Sequence, residues 1–214
     1  MPIDLNGLVD IPGLVRCEEY TREQLGSLTF EMTHAVYPHR EMFGEYCTVQ
    51  DCIDCPPDLV YQYMANIHSL EEWTYSVRDL RRITEDGLYQ GRDAIGSDFF
   101  CRVESNPDAN TVDYLCAWDQ GKELWMIYLN RVVDAQKVFG KPGSVVLWTN
   151  CHHPHYDRNP FPELNTDPDR IWVGEMWELF YAGHTLELRN LKAILEYRHH
   201  NGLPVGPLVV GEEQ

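Results

Sequence analysis

Basic residues are scarce: 17 Lys and Arg stand against 34 Asp and Glu in 214 residues, a formal charge of -17 at pH 7 with histidine neutral. A phosphate backbone or an anionic bilayer approaching such a chain meets net repulsion, so neither a nucleic-acid nor a membrane partner is expected. Long apolar runs are missing too. None approaches the ~18 residues of a membrane-spanning helix, and the start, Met1 to Gly13, has no cationic stretch leading into a hydrophobic one. The seven cysteines are odd in number and too sparse for a disulfide scaffold, so free thiols in a reducing cytoplasm are the expectation. A Walker loop, a dinucleotide fingerprint and a G-x-S-x-G elbow are all absent, which argues against ATP, NAD and α/β-hydrolase chemistry. Internal repeats and low-complexity tracts are absent as well.

What is present is enough for one principal core: 43% of the residues are hydrophobic and 12% aromatic. Residues 1–45 read as an extension with one helix, Thr21 to Val36, opened by a capping box whose partner is Gln24 and ended by Pro38. Tyr46 to Ile53 is β-compatible. After it, Pro56-Pro57 opens a helix bearing Leu59, Val60, Tyr63, Met64 and Ile67 at helical spacing, broken near Asn66-Ile67-His68. The period then changes. Val77–Thr84, Leu88–Ile95, Phe99–Glu104, Thr111–Trp118, Leu124–Asp134 and Ser144–Cys151 read as an antiparallel meander punctuated by Gly, Asn, Asp and Pro turns. A long polar segment, Cys151 to Arg170, follows. The last element is a helix from about Trp172 to His200, with Trp177, Tyr181, His184, Leu188, Leu191 and Leu195 on one stripe.

Asp54-Cys55-Pro56-Pro57-Asp58-Leu59-Val60-Tyr61-Gln62-Tyr63-Met64-Ala65-Asn66, with Trp73 beyond it, resembles the opening of the START-like polyketide cyclase and lipid-transport proteins, the SRPBCC or helix-grip superfamily. Leu186 to Leu195 resembles that family's C-terminal helix. The resemblance covers about residues 46–200, giving an extension (1–45), a helix-grip domain (46–202) and a tail (203–214). It implies an α+β fold: a curved antiparallel sheet wrapped around the long C-terminal helix, with an internal apolar cavity. It also implies a hydrophobic, aromatic or polyketide-like small molecule as substrate, in cyclase, aromatase or dehydratase chemistry. Because such a fold hosts enzymes and carriers alike, it does not decide between them. Two features depart from the family pattern, the first 45 residues and the His-rich segment Cys151 to Pro160. The extension suits either a cover over the cavity mouth or a homodimer contact.

His184 sits at the centre of the apolar stripe, which in this fold would face the cavity, and its ordinary pKa of ~6.5 suits a proton shuttle or a metal ligand. In the acid–base reading His184 is the base, and Tyr128, Tyr75 or Asn130 hydrogen-bonds the developing enolate. No cofactor is then needed. Trp73, Trp125, Trp148, Trp177 and Tyr181 are candidate ligand-binding walls, with Tyr114 in the same aromatic set. Alternation groups Met126, Tyr128 and Asn130 on one face and Trp125, Ile127, Leu129 and Arg131 on the other, without saying which is inward. A metal-dependent alternative uses His153, His155 and His184 to hold Fe or Zn, with His152 and Asp157 or Glu178 in reserve. A third reading is a non-catalytic carrier. Two Glu-x-x-His pairs (Glu31/His34, Glu196/His199), the His34/His39 spacing and Cys52-x-x-Cys55 are weaker signals.

Overall fold

The strand expected at the start of the domain forms over those very residues. β1, Tyr46–Ile53, buries Cys47, Val49 and Ile53 and exposes Tyr46, Thr48 and Gln50, the period of two that covers one face. The computed structural model describes Thr21, Gln24 and residues 45–207, apart from 75, 94–96, 166–171, 173–176, 178 and 179. The chain divides into two units between Phe43 and Gly44. In the first unit, Thr21 N–H donates to Gln24 Oε1 (2.9 Å) and Gln24 N–H to Thr21 Oγ1 (3.3 Å), which is the expected capping box. The rest of that helix, and with it Glu31, His34 and His39, lies outside the described residues.

α1, Pro57–Ala65, begins on the prolines, whose missing or unpaired N–H groups cost nothing in a first turn, and faces Val60, Tyr63 and Met64 inward. Asn66 ends it in an extended conformation. Its side chain accepts from His68 N–H at 3.1 Å and starts a single 3₁₀ turn, Ile67–Ser69, which runs into α2, Leu70–Trp73. The meander follows: β2 Arg78–Arg82, β3 Tyr89–Arg92, β4 Asp98–Asn106, β5 Thr111–Trp118, β6 Met126–Asp134 and β7 Ser144–Cys151. All pairs are antiparallel in one sheet of order β1-β7-β6-β5-β4-β3-β2, so the first strand closes beside the last.

Between β6 and β7 lies a short helix that sequence periodicity misses, α3, Ala135–Phe139. The Asp134 carboxylate accepts from Gln136 N–H at its start, and Gly140 ends it at φ 65°. Five residues are too few to show a helical period. Gly143 has a steric reason as well as its φ of 97°, since a Cβ there would meet the Ile53 carbonyl oxygen at 2.5 Å.

The inner face of the sheet carries Val112, Tyr114, Cys116 and Trp118 from β5, Met126, Tyr128, Asn130 and Val132 from β6, and Ser144, Val146, Trp148 and Asn150 from β7. Ile127 and Leu129 face out at 37% and 44% exposure. Trp125 departs from the grouping expected of it: it is buried, because β6 begins only at Met126 and Trp125 is therefore free of the strand's alternation. α1 lies against β5 and β6, tied down where Tyr114 Oη–H donates to the Met64 carbonyl at 2.7 Å.

The long helix α5 is described from Phe180 to His200 rather than from Trp172. It packs on β1 and α2. Asn190 Nδ2 donates to the Trp73 carbonyl (3.2 Å), and Asp54 N–H donates to Glu196 Oε1 (2.8 Å). His184, Leu188, Leu191 and Leu195 of the expected stripe are buried, joined by Glu187 and Arg198. Tyr181 is a correction. It stands 57% exposed, and Phe180, one position earlier, takes the place against the interior that the stripe assigned to it. The fold is α+β, a seven-stranded antiparallel sheet with the long C-terminal helix packed at its β1 edge. No helix among the described residues is long and apolar enough to cross a membrane.

Candidate functional site

Register brings the inward polar residues into rows. Tyr128 stands directly opposite Tyr114 on one side and Asn150 on the other, and Asn130 stands opposite Trp148. His184 descends onto this surface from the second turn of α5, its ring 4.3 Å from that of Trp148, 5.2 Å from Phe180 and 5.7 Å from Tyr128. Tyr156 enters from the segment after β7. There His153 caps the single-turn helix α4, Pro154–Asp157, by accepting from His155 N–H (3.1 Å), and the turn folds Tyr156 under the sheet until nothing of it is exposed.

These elements place a continuous polar chain inside an aromatic shell. Tyr128 lies beside Tyr156, which ends the chain. Tyr156 Oη–H donates to Asn150 Oδ1 at 3.2 Å, Asn150 Nδ2 meets His184 Nε2 at 3.3 Å, and His184 Nδ1 meets Glu187 Oε2 at 3.4 Å. The tautomer follows from the partners. A carboxylate can only accept, so Nδ1 carries the hydrogen, and Nε2 is the basic nitrogen, accepting from the Asn150 amide. Burial, reinforced by Tyr156, holds the Tyr128 phenol well above its ordinary range. Burial also raises Tyr156, against the opposing pull of its bond to Asn150 and of neighbouring Tyr128. Both are therefore neutral hydroxyls at physiological pH, able to donate.

The chain has two self-consistent directions. With His184 neutral, the donors point toward it: Tyr156 to Asn150, Asn150 to Nε2. With Nε2 protonated, Asn150 must offer its oxygen to the imidazolium. Its amide then turns over and donates to Tyr156, whose own hydrogen is released away from Asn150. Protonation at one end thus sets hydroxyl direction at the other.

Among the other expected residues, Trp73 is buried edge-on to Trp148 at 5.3 Å. Trp125 packs on Tyr156 at 4.9 Å, and Trp177 on Tyr156 at 4.8 Å. Tyr75 and Glu178 lie outside the described residues. Asn130 is buried, and its Nδ2 donates one of its two hydrogens to the Tyr128 carbonyl (3.3 Å). His153 and His155 meet at 4.3 Å beside Trp125, not beside His184. His152 pairs with Asp157 (3.2 Å) and stacks on Tyr156. Among the described residues no three His, Cys, Asp or Glu side chains are grouped to hold a metal ion, so the set His153, His155 and His184 does not fit iron or zinc.

Glu196 is occupied by the Asp54 amide and Lys192, away from this chain of groups. Cys47, Cys52, Cys55, Cys101, Cys116 and Cys151 are free thiols. Cys55 is pushed up to about 11 by burial and by Asp58, Asp54 and Glu196, the opposite of an activated redox cysteine.

Sequence reasoning missed Asn150, Tyr156 and Glu187. Asn150 was open to the alternation that makes Trp148 inward, and Glu187 to the i, i+3 spacing from His184 on one helix face. Nothing in the local sequence marks Tyr156.

No family model matches the chain, and no curated protein does. Solved structures do resemble it. A START superfamily protein from Mycobacterium smegmatis is 9% identical, with 72% of this chain and 98% of that one covered and a TM-score of 0.49. The protein XoxI from Bacillus cereus is 15% identical over 71% and 95%, with a TM-score of 0.49. DynU16, a protein of the dynemicin biosynthetic locus, is 13% identical over 76% and 49%, with a TM-score of 0.45.

Proposed function

We propose that this START-like helix-grip domain acts on a hydrophobic small molecule held against the inner face of its sheet, by acid–base chemistry of the cyclase, aromatase or dehydratase type. The observation that carries the reading is the buried His184–Glu187 pair, joined through Asn150 to Tyr156. Burying an imidazole and a carboxylate costs free energy that an apolar pair would not, and each member here is oriented by a hydrogen bond.

In the proposed step His184 Nε2 removes a proton from the carbon next to a substrate carbonyl. The C–H electron pair becomes the enolate, and the positive charge on the imidazole is balanced by Glu187. The Asn150 amide turns as Nε2 gains its hydrogen, and the neutral Tyr128 Oη–H, whose ring stands 5.7 Å from that of His184, donates to the enolate oxygen as charge develops there. Base and oxyanion donor thereby act on neighbouring atoms of one substrate. The aromatic shell of Trp148, Trp73, Phe180 and Trp177 keeps water from the reacting atoms and limits the poses open to a planar ligand.

The test is exchange of the α-protons of a bicyclic ketone, 2-tetralone, in D₂O, followed by proton NMR. Wild-type protein accelerates loss of those signals, and His184→Ala lowers the acceleration by about 10²–10⁴-fold, the range of a general base. A second reading, a carrier that binds without chemistry, draws support from Nε2 being already engaged by Asn150. It is the outcome if 2-tetralone binds and exchanges no faster than in buffer.

A further inference from the structure

Two buried atoms on the inner face have no hydrogen-bond partner among the described residues and are complementary: Asn130 Oδ1, an acceptor, and Trp148 Nε1, a donor. Their residues are direct partners across β6 and β7, so their Cα atoms stand about 4.5–5.5 Å apart. Both side chains are buried, Asn130 at 2% and Trp148 at 4% exposure. The donor and acceptor do not bond to each other, although they share a face. The amide cannot be turned to hide the deficit cheaply, because Nδ2 is spent on the Tyr128 carbonyl. Buried tryptophan N–H groups and amide oxygens ordinarily find partners, since each was solvated before folding. Trp118 and Trp125 also leave Nε1 unpartnered, but those are two donors with no acceptor between them.

We propose that Asn130 and Trp148 form a subsite for one hydroxyl group of a phenolic or enolic ligand. A hydroxyl is the smallest group that satisfies both atoms at once, donating its hydrogen to Asn130 Oδ1 and accepting from Trp148 Nε1. A carbonyl would satisfy only the indole, and an ether would leave the amide oxygen orphaned. The surroundings suit the ring that carries such a group: Trp73, Tyr128 and His184 all border Trp148, the last at 4.3 Å. The subsite therefore sets one substituent of the ligand beside the proposed base. This deepens the reading above and rests on it, for it selects among hydrophobic ligands those with an aromatic or enolic hydroxyl. The same bonding could be met by a bound water, and the experiment separates the two sources.

The probes are 2-naphthol, 2-methoxynaphthalene and naphthalene, titrated calorimetrically against wild type, Asn130→Leu and Trp148→Phe. Wild type binds 2-naphthol about tenfold or more tightly than naphthalene, with the methyl ether near naphthalene, because only the hydroxyl makes both bonds. In each variant that preference falls to about twofold or less, since an unmet partner then remains on one side. Equal affinity for the three probes in wild type assigns the two atoms to water and overturns the proposal alone. A preference that survives both substitutions does the same. Binding of none of the three overturns the proposal together with the reading it rests on. Should either variant fail to fold, the indole N–H resonance of Trp148 in the wild-type protein decides. It moves downfield with 2-naphthol and not with naphthalene, and the absence of that difference refutes the subsite.

Discussion

Replacing Asn150 with leucine removes both hydrogen bonds at the centre of the polar chain while keeping a side chain branched at the same position. Asn150 itself has no exposed surface. It accepts from Tyr156 at 3.2 Å and engages His184 Nε2 at 3.3 Å. The substitution therefore orphans a hydroxyl and a ring nitrogen in the interior, each at about 1–3 kcal/mol. Leucine spares the desolvation of the amide, which returns part of the loss, so the net expectation is roughly 2–4 kcal/mol. For a chain of this size each kcal/mol moves the midpoint by about 2–4 °C, which makes the shift in Tm roughly 5–15 °C downward. Thermal and urea unfolding followed by circular dichroism measure it. The cycle with Tyr156→Phe is the stricter test. Once Asn150 is leucine the Tyr156 hydroxyl is a liability, so removing it costs at least about 1 kcal/mol less than in wild type. A single-variant cost below about 0.5 kcal/mol, or strict additivity of the two changes, refutes the polar chain as a coupled unit.

Two further outcomes follow from charge. Burial first, then His155 and His152, hold the His153 imidazole below its ordinary value against the pull of Glu123, so the unfolded chain binds the proton more readily than the folded one. Stability is then fully present above about pH 6.5 and falls as pH drops through that value toward the lower folded one. His153→Asn, which keeps a cap acceptor for His155 N–H, flattens the decline in Tm between pH 7 and 5, and an unchanged slope contradicts the assignment. At the other end of α5, Arg198 Nη1 meets Glu72 Oε2 at 2.9 Å, Glu72 also accepts from Tyr63 Oη at 2.7 Å, and both ion-pair side chains are only 10% exposed. Arg198→Leu removes the cation from a buried carboxylate and costs about 3 kcal/mol, the low end for such pairs because Tyr63 still donates. Adding Glu72→Gln recovers more than half of that in urea unfolding, and recovery of none of it argues that packing, not charge, is what Arg198 supplies there.

Strands and turns were legible where one face of an element meets the core and the other meets water. β1, β5 and β7 occupy the residues that alternation and turn chemistry mark for them, and the break of α1 at Asn66 follows from the side-chain bond to His68 N–H. The failures have equally local causes. The apolar stripe that runs through Trp177, His184 and Leu188 assigns Tyr181 inward, but at the first turn of α5 the interior is met by Phe180 instead. Trp125 was given a strand face although it precedes the strand. α3 is held by its caps rather than by an apolar period, so a search for period could not find it.

The site divides along the same line. His184 was legible because an ionisable residue interrupting an apolar stripe stands out in one dimension, and Trp148 because its strand alternates cleanly. What joins them was not legible, since it depends on contacts across 34 residues between Asn150 and His184 and on a one-turn helix that tucks Tyr156 beneath both. A histidine alone on that stripe would be hard to tell from a satisfied core residue. The same histidine, given a fixed tautomer by Glu187 and a hydrogen-bonded route to a neutral phenol, is a group whose protonation has a defined effect elsewhere. Among the described residues, Glu187 is the carboxylate that meets His184, while Asp51, Asp54, Asp79 and Asp86 are paired with Lys192, His200, Arg92 and Arg102. One carboxylate facing one imidazole, among the described residues, in an aromatic surround makes the proton balance of the site local, and that is the condition under which one proton taken by His184 can redirect Tyr156.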